Sequence, residues 1–373
     1  MNLEDLGHDV TVSGPATRVV TSSGHNVAMS EAERFRVLHV TLAYGGGLRT
    51  ALQRYIAATP HLEHHLLIAG VEEEFPPADV ASVRLVGERG RRRAIVERVA
   101  ELAPDVVHVH SSWAGFFARR GPLSAPVLYQ PHGFAFEPGA RSGPARAAFR
   151  AVERWAARHT DAFAVLTPHE GRLAHGLDAS ASVVPIENLT DLDVGLHGGW
   201  SPPARPRITM VGRVTGQKDP EFFARTIEAA RAAGWDAEWT WVGAGDDEPT
   251  ARLRDLGVDV TGWLDPAGVA EVLRATTVYF HTACYEGFAM SILDAAAVGT
   301  PVVARDIACL SDTDLSKVRT PEAAAHVLRG LIENADALTA EAGRSATFHA
   351  ARRPEQLTQQ LDTAYALTVA RAR

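Results

Sequence analysis

The sequence predicts an α/β protein built as two Rossmann-like domains with a ligand cleft between them. Three observations carry this reading. Short apolar, strand-like runs alternate with amphipathic helical stretches, which is the pattern of a parallel sheet covered on both faces. The alternation halts once, over a Gly- and Pro-rich segment at 187–207, and then restarts. The length, 373 residues, exceeds one ordinary core and suits two domains of ~100–200 residues each.

The elements follow in order. Residues 1–33 are rich in Ser, Thr, Gly and Glu and hold no sustained apolar period, so they read as a flexible leader without a core. Order begins at 35 with FRVLHVTLA, whose length and apolar density fit a buried strand. Further strand-like runs are HLLIAG at 65–70, VRLVG at 83–87, DVVHVHS at 105–111, PVLYQ at 126–130, AFAVL at 162–166 and SVVPI at 182–186. Helical stretches at 48–58, 92–102 and 145–158 separate several of them. These place a first domain at 34–190 and a linker at 191–206. A second domain at 207–350 carries RITMVG (207–212), EWTWVG (238–243), VDVTG (258–262), TVYFH (277–281) and PVVA (301–304). Asp219-Pro220 and Asp265-Pro266 each supply an N-cap and a first-turn proline for a helix. The last segment, 351–373, reads as a helix crossing back to the first domain.

Composition removes whole classes of function. Apolar residues make up 46% and charged residues 22%, which excludes a disordered chain. No apolar run reaches the ~18 residues that would span a bilayer. The opening MNLEDLGHDV carries acids where a signal peptide needs positive charge, so a cytoplasmic enzyme is expected. The two cysteines, Cys284 and Cys309, cannot form a disulfide framework or a cysteine-only zinc site. A formal net charge of −8 argues against nucleic acid as a partner. The sequence carries no signal of oligomeric state.

In parallel sheets ligands bind beyond the carboxyl ends of strands, so the residues just after each strand are the candidates. After the first strand comes Tyr44-Gly45-Gly46-Gly47, where glycines let a diphosphate approach the backbone at a helix start; a plain tight turn is the alternative. After RITMVG stand Gly212 and Arg213, with Lys218 just before the Asp219-Pro220 cap. Two cations beside a positive helix end call for an anion, unless both are merely solvated loop charges. The segment YEGFAMSILDAAAVGTPVVA (285–304) puts Glu286 and Gly287 ahead of a small-residue helix, and the amides of 288–291 would face the same anion. A carboxylate beside such a site suits sugar hydroxyls.

Those residues bring the chain close to a known family. EGFAMSILDAAAVGTPVV resembles the signature of family 4 glycosyltransferases, retaining enzymes of the GT-B fold: Glu, seven residues, an acid with Ala, then Gly-Thr-Pro-Val-Val. The resemblance takes in Gly212-Arg213 with Lys218, Gly243 and Gly245, Thr261-Gly262-Trp263, the loop at 45–47, VHVHSS at 107–112 and Pro131-His132-Gly133. It covers roughly 36–305, and departs from the family at Asp294, where Glu is usual, and at Glu187-Asn188-Leu189, where Pro-Asn-Gly is common. The resemblance implies catalytic roles for Arg213, Lys218, Glu286 and His132. It implies donor binding by Gly46, Gly47, Gly212, Gly243, Gly262, Trp263, Gly287, Phe288, Ala289, Met290, Ser291 and Asp294. Arg213 and Lys218 would neutralise the diphosphate of a nucleotide sugar, UDP-linked by default. Glu286 would meet the sugar's hydroxyls, Asp294 the ribose diol, and His132 would sit over the donor sugar. The nucleotide sugar is a co-substrate, and neither cofactor nor metal is implied. The acceptor would be a glycan, a lipid-linked or a small-molecule hydroxyl.

Other readings stand beside this one. A GT-B sugar-nucleotide epimerase would need acid–base carboxylates, and a nucleotide-sugar-binding protein would have lost transfer. A Rossmann dehydrogenase is disfavoured, because the first loop lacks Gly-x-Gly-x-x-Gly with an acid ~20 residues on. His108 and His110 lie two apart on one strand and face the same way; with His132 they are a zinc alternative, though core histidines fit them better. The five arginines of 88–98 read as a solvated helix face, with contact to anionic lipid at the inner membrane surface as the alternative. Trp113, Phe116 and Phe117 line the acceptor side or belong to the core.

Overall fold

The computed structural model describes residues 9–11, 34–42, 44–69, 80–87, 89–190, 192 and 200–372. The rest of the expected leader, and residues 191 and 193–199 of the expected linker, lie outside the described residues. The chain divides into two compact units. The first comprises Met1–Phe136, Arg141–Asn188 and Pro354–Arg373, and the second Glu137–Ala140 and Leu189–Arg353.

In the first unit the strands are β1 (Asp9–Thr11), β2 (Arg36–Thr41), β3 (Glu63–Ala69), β4 (Ser82–Val86), β5 (Val106–His110), β6 (Val127–Gln130), β7 (Ala162–Val165) and β8 (Val183–Pro185). Its helices are α1 (Gly46–Ala58), α2 (Arg91–Leu102), α3 (Ser112–Ala118), α4 (Gly143–Ala156) and α5 (Pro168–Leu177). The strand order is β1-β4-β3-β2-β5-β6-β7-β8, parallel except that β1 runs antiparallel along β4. Alternation along the strands explains the two faces of this sheet. Leu38, Val40, Val107 and Val109 pack on Ile95 and Val99 of α2 and on Ala114 and Ala118 of α3. Truncating the buried Leu38 or Ile95 to Ala would cost about 2–5 kcal/mol. The alternate residues face the other way, and there the sheet is polar in its middle: His39, His64, His108 and His110 are all buried.

The second unit contains β9 (Arg207–Val211), α6 (Pro220–Ala232), β10 (Glu238–Val242), α7 (Asp247–Asp255), β11 (Asp259–Gly262), α8 (Pro266–Arg274), β12 (Val278–His281), α9 (Met290–Ala297), β13 (Val302–Arg305), β14 (Ser316–Val318), α10 (Pro321–Glu333) and α11 (Ala335–Ala350). Its six strands are parallel in the order β11-β10-β9-β12-β13-β14. Four helices of the two units start with the same device, a capping side chain followed by proline. Thr167, Asp219, Asp265 and Thr320 accept from the amides of Glu170, Phe222, Gly268 and Ala323. Each cap satisfies an otherwise orphaned amide, and its loss costs about 1 kcal/mol.

The last helix, α12 (Pro354–Ala372), belongs to the first unit. Thr358 donates to the Ala58 carbonyl at 2.9 Å, Gln360 accepts from the Glu187 amide at 2.8 Å, and Arg371 donates to the Ser180 carbonyl at 2.7 Å. Its Tyr365 hydroxyl lies 3.2 Å from His108 Nδ1. Helix starts differ from the sequence expectation by one or two residues: α1 opens at Gly46 rather than 48, and α9 at Met290 rather than 288. At both ends a glycine or alanine stands at the cap, so no capping side chain marks the start.

Candidate active site

The second unit gathers most of the expected site residues at the carboxyl edge of its sheet, where β11, β10, β9 and β12 end side by side. Gly212 follows β9 with φ +149°, and a Cβ there would stand 2.9 Å from Lys218 Cε. Glycine therefore lets the lysine stem lie against the strand end. Gly243 and Gly245 follow β10, and a Cβ on either would stand 2.1 Å from the carbonyl oxygens of Gly212 and Val214 respectively. The two loops touch backbone to backbone, and Val214 and Gly245 form a bridge.

Arg213 is exposed, and its side chain has no partner among the described residues. Lys218 differs. Its ammonium is ion-paired with Glu286 Oε1, and Glu286 Oε2 accepts from Gln217 Nε2 at 3.2 Å. Both side chains are largely covered, at 17% and 9% exposure, so this is a held pair that is not fully sealed. His281 Nε2 lies 3.8 Å from Glu286 Oε1. Burial, and then the Lys218 charge, drive the His281 imidazole well below its ordinary range, so it is neutral here.

Helix α9 opens without a side-chain cap and with no acid in its first turn. The amides of Met290 and Ser291 are therefore available to an anion, while that of Ile292 bonds to the Ala289 carbonyl at 3.1 Å. The Ser291 hydroxyl is engaged by Tyr279, whose OH lies 2.7 Å away, which leaves the Ser291 amide for a ligand. Asp294, one turn further along, is half-buried and accepts from Thr190 Oγ1 at 2.6 Å. Gly287 and Ala289 are buried. Phe288 is buried too, stacked on Phe348 at 6.1 Å with the Arg352 guanidinium 5.3 Å over its ring. Gly262 ends β11 at φ +76°, and Trp263 beyond it is 67% exposed.

The remaining expected residues lie in the first unit. Gly46, at φ +54°, and Gly47 are exposed at the uncapped start of α1. His132 follows β6 at φ +52°, and Gly133 is at φ +100°. A left-handed conformation at a non-glycine residue is strained and must be held. Glu170 holds it: one oxygen accepts from the Gly133 amide at 2.6 Å and the other from the Leu166 amide at 2.8 Å. Sequence reasoning passed over Glu170, because an acid in the first turn after Thr167-Pro168 already has a reason to be there.

Sequence reasoning also passed over His39 and His64, which join His108, His110 and His132 in one cluster. Nitrogens of His39, His108 and His110 all lie within 4.8 Å of one another, so these three are the candidate metal ligands among the described residues. Zinc needs ~2.0–2.1 Å from each nitrogen with the lone pairs converging. Here His39 Nδ1 and His110 Nε2 instead face each other at 3.0 Å, and the His108 ring lies 4.0 Å from that of His110. The arrangement suits hydrogen bonds between imidazoles better than a shared ion.

Two further features sit on the first unit. A cavity of about 320 Å³ is lined by Trp113, Phe116, Phe149 and Val152 with Arg141. Trp113 is exposed and Phe116 half-buried, whereas Phe117 packs against the core. Of the basic residues at 88–98, Arg92 donates to the carbonyls of Ala118, Gly121 and Pro122, while Arg98 binds Ser82 and pairs with Glu101. These two are committed to the fold. Among the described residues no helix is long and apolar enough to cross a membrane.

Comparison with known proteins accounts for this architecture. A family described as glycosyl transferase 4-like domain matches residues 2–188, and one described as glycosyl transferases group 1 matches residues 205–334. The UDP-Gal:alpha-D-GlcNAc-diphosphoundecaprenol alpha-1,3-galactosyltransferase of Escherichia coli is 24% identical over 62% of this chain and 66% of its own. A GDP-mannose-dependent alpha-mannosyltransferase of Mycolicibacterium smegmatis is 30% identical over 54% of this chain and 56% of its own. The second of these alignments spans little more than half of the relative. Among solved structures, Anabaena HepE in complex with UDP-glucose superposes with a TM-score of 0.69 at 14% identity, covering 89% of this chain and 100% of that one. Two parallel-sheet units, a family match over half the chain, and the glycine, cation and carboxylate pattern at the second sheet's edge agree: the chain belongs to the family 4 glycosyltransferases of the GT-B fold.

Proposed function

We propose that the protein moves a sugar from a nucleotide-diphosphate sugar to an acceptor hydroxyl with retention of configuration, and without a metal ion. The observation that carries this is the set of unlike groups at one sheet edge: an exposed Arg213, a Lys218 held by Glu286, and the uncapped first turn of α9. Cations and amides together suit a diphosphate, and a carboxylate beside them suits sugar hydroxyls. An ammonium has three donors, so Lys218 can keep Glu286 while it takes a phosphate oxygen. Charge that develops on the leaving diphosphate is then met by groups already in place, which is where such stabilisation counts most. Asp294 takes the ribose hydroxyls.

The relatives named above act from UDP-galactose and from GDP-mannose. UDP-sugars are therefore the first donors to try and GDP-mannose the next, with a diphosphopolyprenol-linked sugar as the first acceptor. The test is transfer of radiolabel from a panel of nucleotide sugars, run with EDTA and without it. Expected is transfer that survives chelation and that falls by at least ~10²-fold in Arg213→Ala or Lys218→Ala. Epimer formation, binding without transfer, or a strict requirement for added Mg²⁺ or Mn²⁺ would overturn the proposal.

A further inference from the structure

Four histidines of the first unit are joined nitrogen to nitrogen. His64 Nδ1 lies 3.1 Å from His39 Nε2, His39 Nδ1 lies 3.0 Å from His110 Nε2, and His110 Nδ1 lies 3.1 Å from His132 Nε2. Neighbouring rings are close to coplanar, at 29°, 24° and 32°, with centroids 5.3, 5.3 and 5.4 Å apart. That spacing is one ring diameter plus one hydrogen bond, so each pair meets edge to edge in the plane where N–H and lone pair both lie. The row runs from the buried His64 to the half-exposed His132.

The direction of these hydrogen bonds is set at the inner end. The Thr59 hydroxyl donates its one proton to the Tyr55 carbonyl at 2.7 Å, so toward His64 it can only accept. The Thr59 carbonyl can only accept as well. Both oxygens lie 3.0 Å from His64 Nε2, which must therefore carry the proton. A neutral imidazole has one N–H, so His64 Nδ1 is an acceptor and His39 Nε2 must donate to it. The same step repeated gives His110 an Nε2–H and then His132 an Nε2–H. All four rings stay neutral, because burial opposes an added proton on each.

We propose that His64, His39 and His110 are positioning residues that lock His132 in its Nε2–H tautomer and leave His132 Nδ1 as a bare acceptor for a substrate hydroxyl. His132 Nδ1 has no partner among the described residues. The backbone around it is held in a strained form by Glu170, as a device that aims one ring nitrogen requires. The hydroxyl as ligand rests on the glycosyl-transfer reading, whereas the tautomer rests on the hydrogen bonds alone. The tautomer has a structural reason to matter. A free imidazole in water exchanges between two tautomers, and each encounter with the Nδ1–H form would set an N–H against a hydroxyl oxygen instead of accepting its proton.

The test reads tautomers directly, by long-range proton–nitrogen correlation NMR on protein with ¹⁵N-labelled histidine and no substrate. Expected in the native chain is the Nε2–H form at His64, His39, His110 and His132. In His64→Leu the inner acceptor is gone, and an Nδ1–H form should appear at His132 beside the Nε2–H form. In His64→Asn a side-chain carbonyl can stand where Nδ1 stood, and the native pattern should return. Nδ1–H at His132 in the native chain would overturn the proposal, as would stoichiometric zinc retained by the protein through His39, His108 and His110. An unchanged His132 in a folded His64→Leu would overturn it too. Should His64→Leu fail to fold, the native tautomers decide alone. Because no donor is present, a chain that shows the predicted tautomers yet transfers no sugar counts against the enzymatic reading and not against the lock.

Discussion

Lowering the pH from 7.5 to 5 should unfold the first unit in preference to the second. The cause is the histidine cluster. Burial lowers His64 to about 4 and His108 and His132 to about 3, and takes His39 and His110 well below the ordinary range. An unfolded chain titrates these groups near the ordinary imidazole value of 6.5. The folded pKa lies below the unfolded one, so the full stability is present above pH 6.5 and drains away as the pH falls toward the folded values. At pH 5 each such group costs about 2 kcal/mol, since a pKa unit is worth ~1.36 kcal/mol. Several together rival the ~5–15 kcal/mol that holds a domain. The groups packed around the cluster are Tyr55 of α1 and Tyr365 of α12, both pushed up by burial, His65 beside Glu63 on β3, and Glu170 and Arg54, whose charges reach Tyr55. Carboxylates titrating near pH 4 stay charged over this range. Among the described residues of the second unit, burial lowers His281 well below the ordinary range and also lowers the more open His349. Hydrogen exchange at pH 7.5, 6 and 5 with mass spectrometry separates the units, by comparing peptides over β2 and β5 with those over β9 and β12. Expected is a protection loss of more than 10²-fold in β2 and β5 relative to β9 and β12, and a pH dependence weakened by about 2 kcal/mol in His108→Asn, which has no proton to take up. Equal protection of both units at pH 5 would refute the reasoning.

Two other expectations follow from the second unit. Asp294→Ala removes the acceptor of Thr190 and any hold on the ribose, so the donor KM should rise by more than kcat falls; calorimetry that shows unchanged donor affinity would remove Asp294 from the site. Gly245→Ala brings a methyl group within 2.1 Å of the Val214 carbonyl and must push two backbones apart, so it should lower stability by about 2 kcal/mol or more in a thermal melt, while Gly216→Ala, with open space around it, serves as the near-neutral control.

What was legible in the sequence was whatever depends on local pattern. Every strand-like run from 35 to 304 appears as a strand, because apolar density and flanking Gly or Pro are properties of a short window. The helices begun by Asp-Pro announce themselves for the same reason, whereas α1 and α9 have small residues at the cap and start two residues from the expected position. The gathering of the candidate residues of the second unit was legible for a further reason. Its glycines, cations and carboxylate each follow directly on a strand, and in a parallel sheet all such positions are brought to one edge. The pairing of Lys218 with Glu286 was not legible, since 68 residues separate them and only the adjacency of β9 and β12 joins them.

The histidine row marks where local pattern stops being enough. Spacing of two places His108 and His110 on one face, and this much can be read from VHVHS. Nothing within any window says that His39 will stand opposite His108, or that His64 will reach across to His39. Those neighbours are set by the register of β2 against β5 and of β3 against β2. Taken one at a time, each histidine looks like an ordinary member of an apolar strand, and its burial without a partner would be a defect. Taken in register, each supplies the partner that the next one needs, and the row has to end somewhere. At one end it ends on the oxygens of Thr59, which accept but cannot donate toward it. At the other it ends on His132, in a strained loop whose ring keeps one nitrogen unused. A closed polar cluster would need only to satisfy itself; one that is closed inside and open at a strained residue has a direction, and that direction leads from Thr59 to His132 Nδ1.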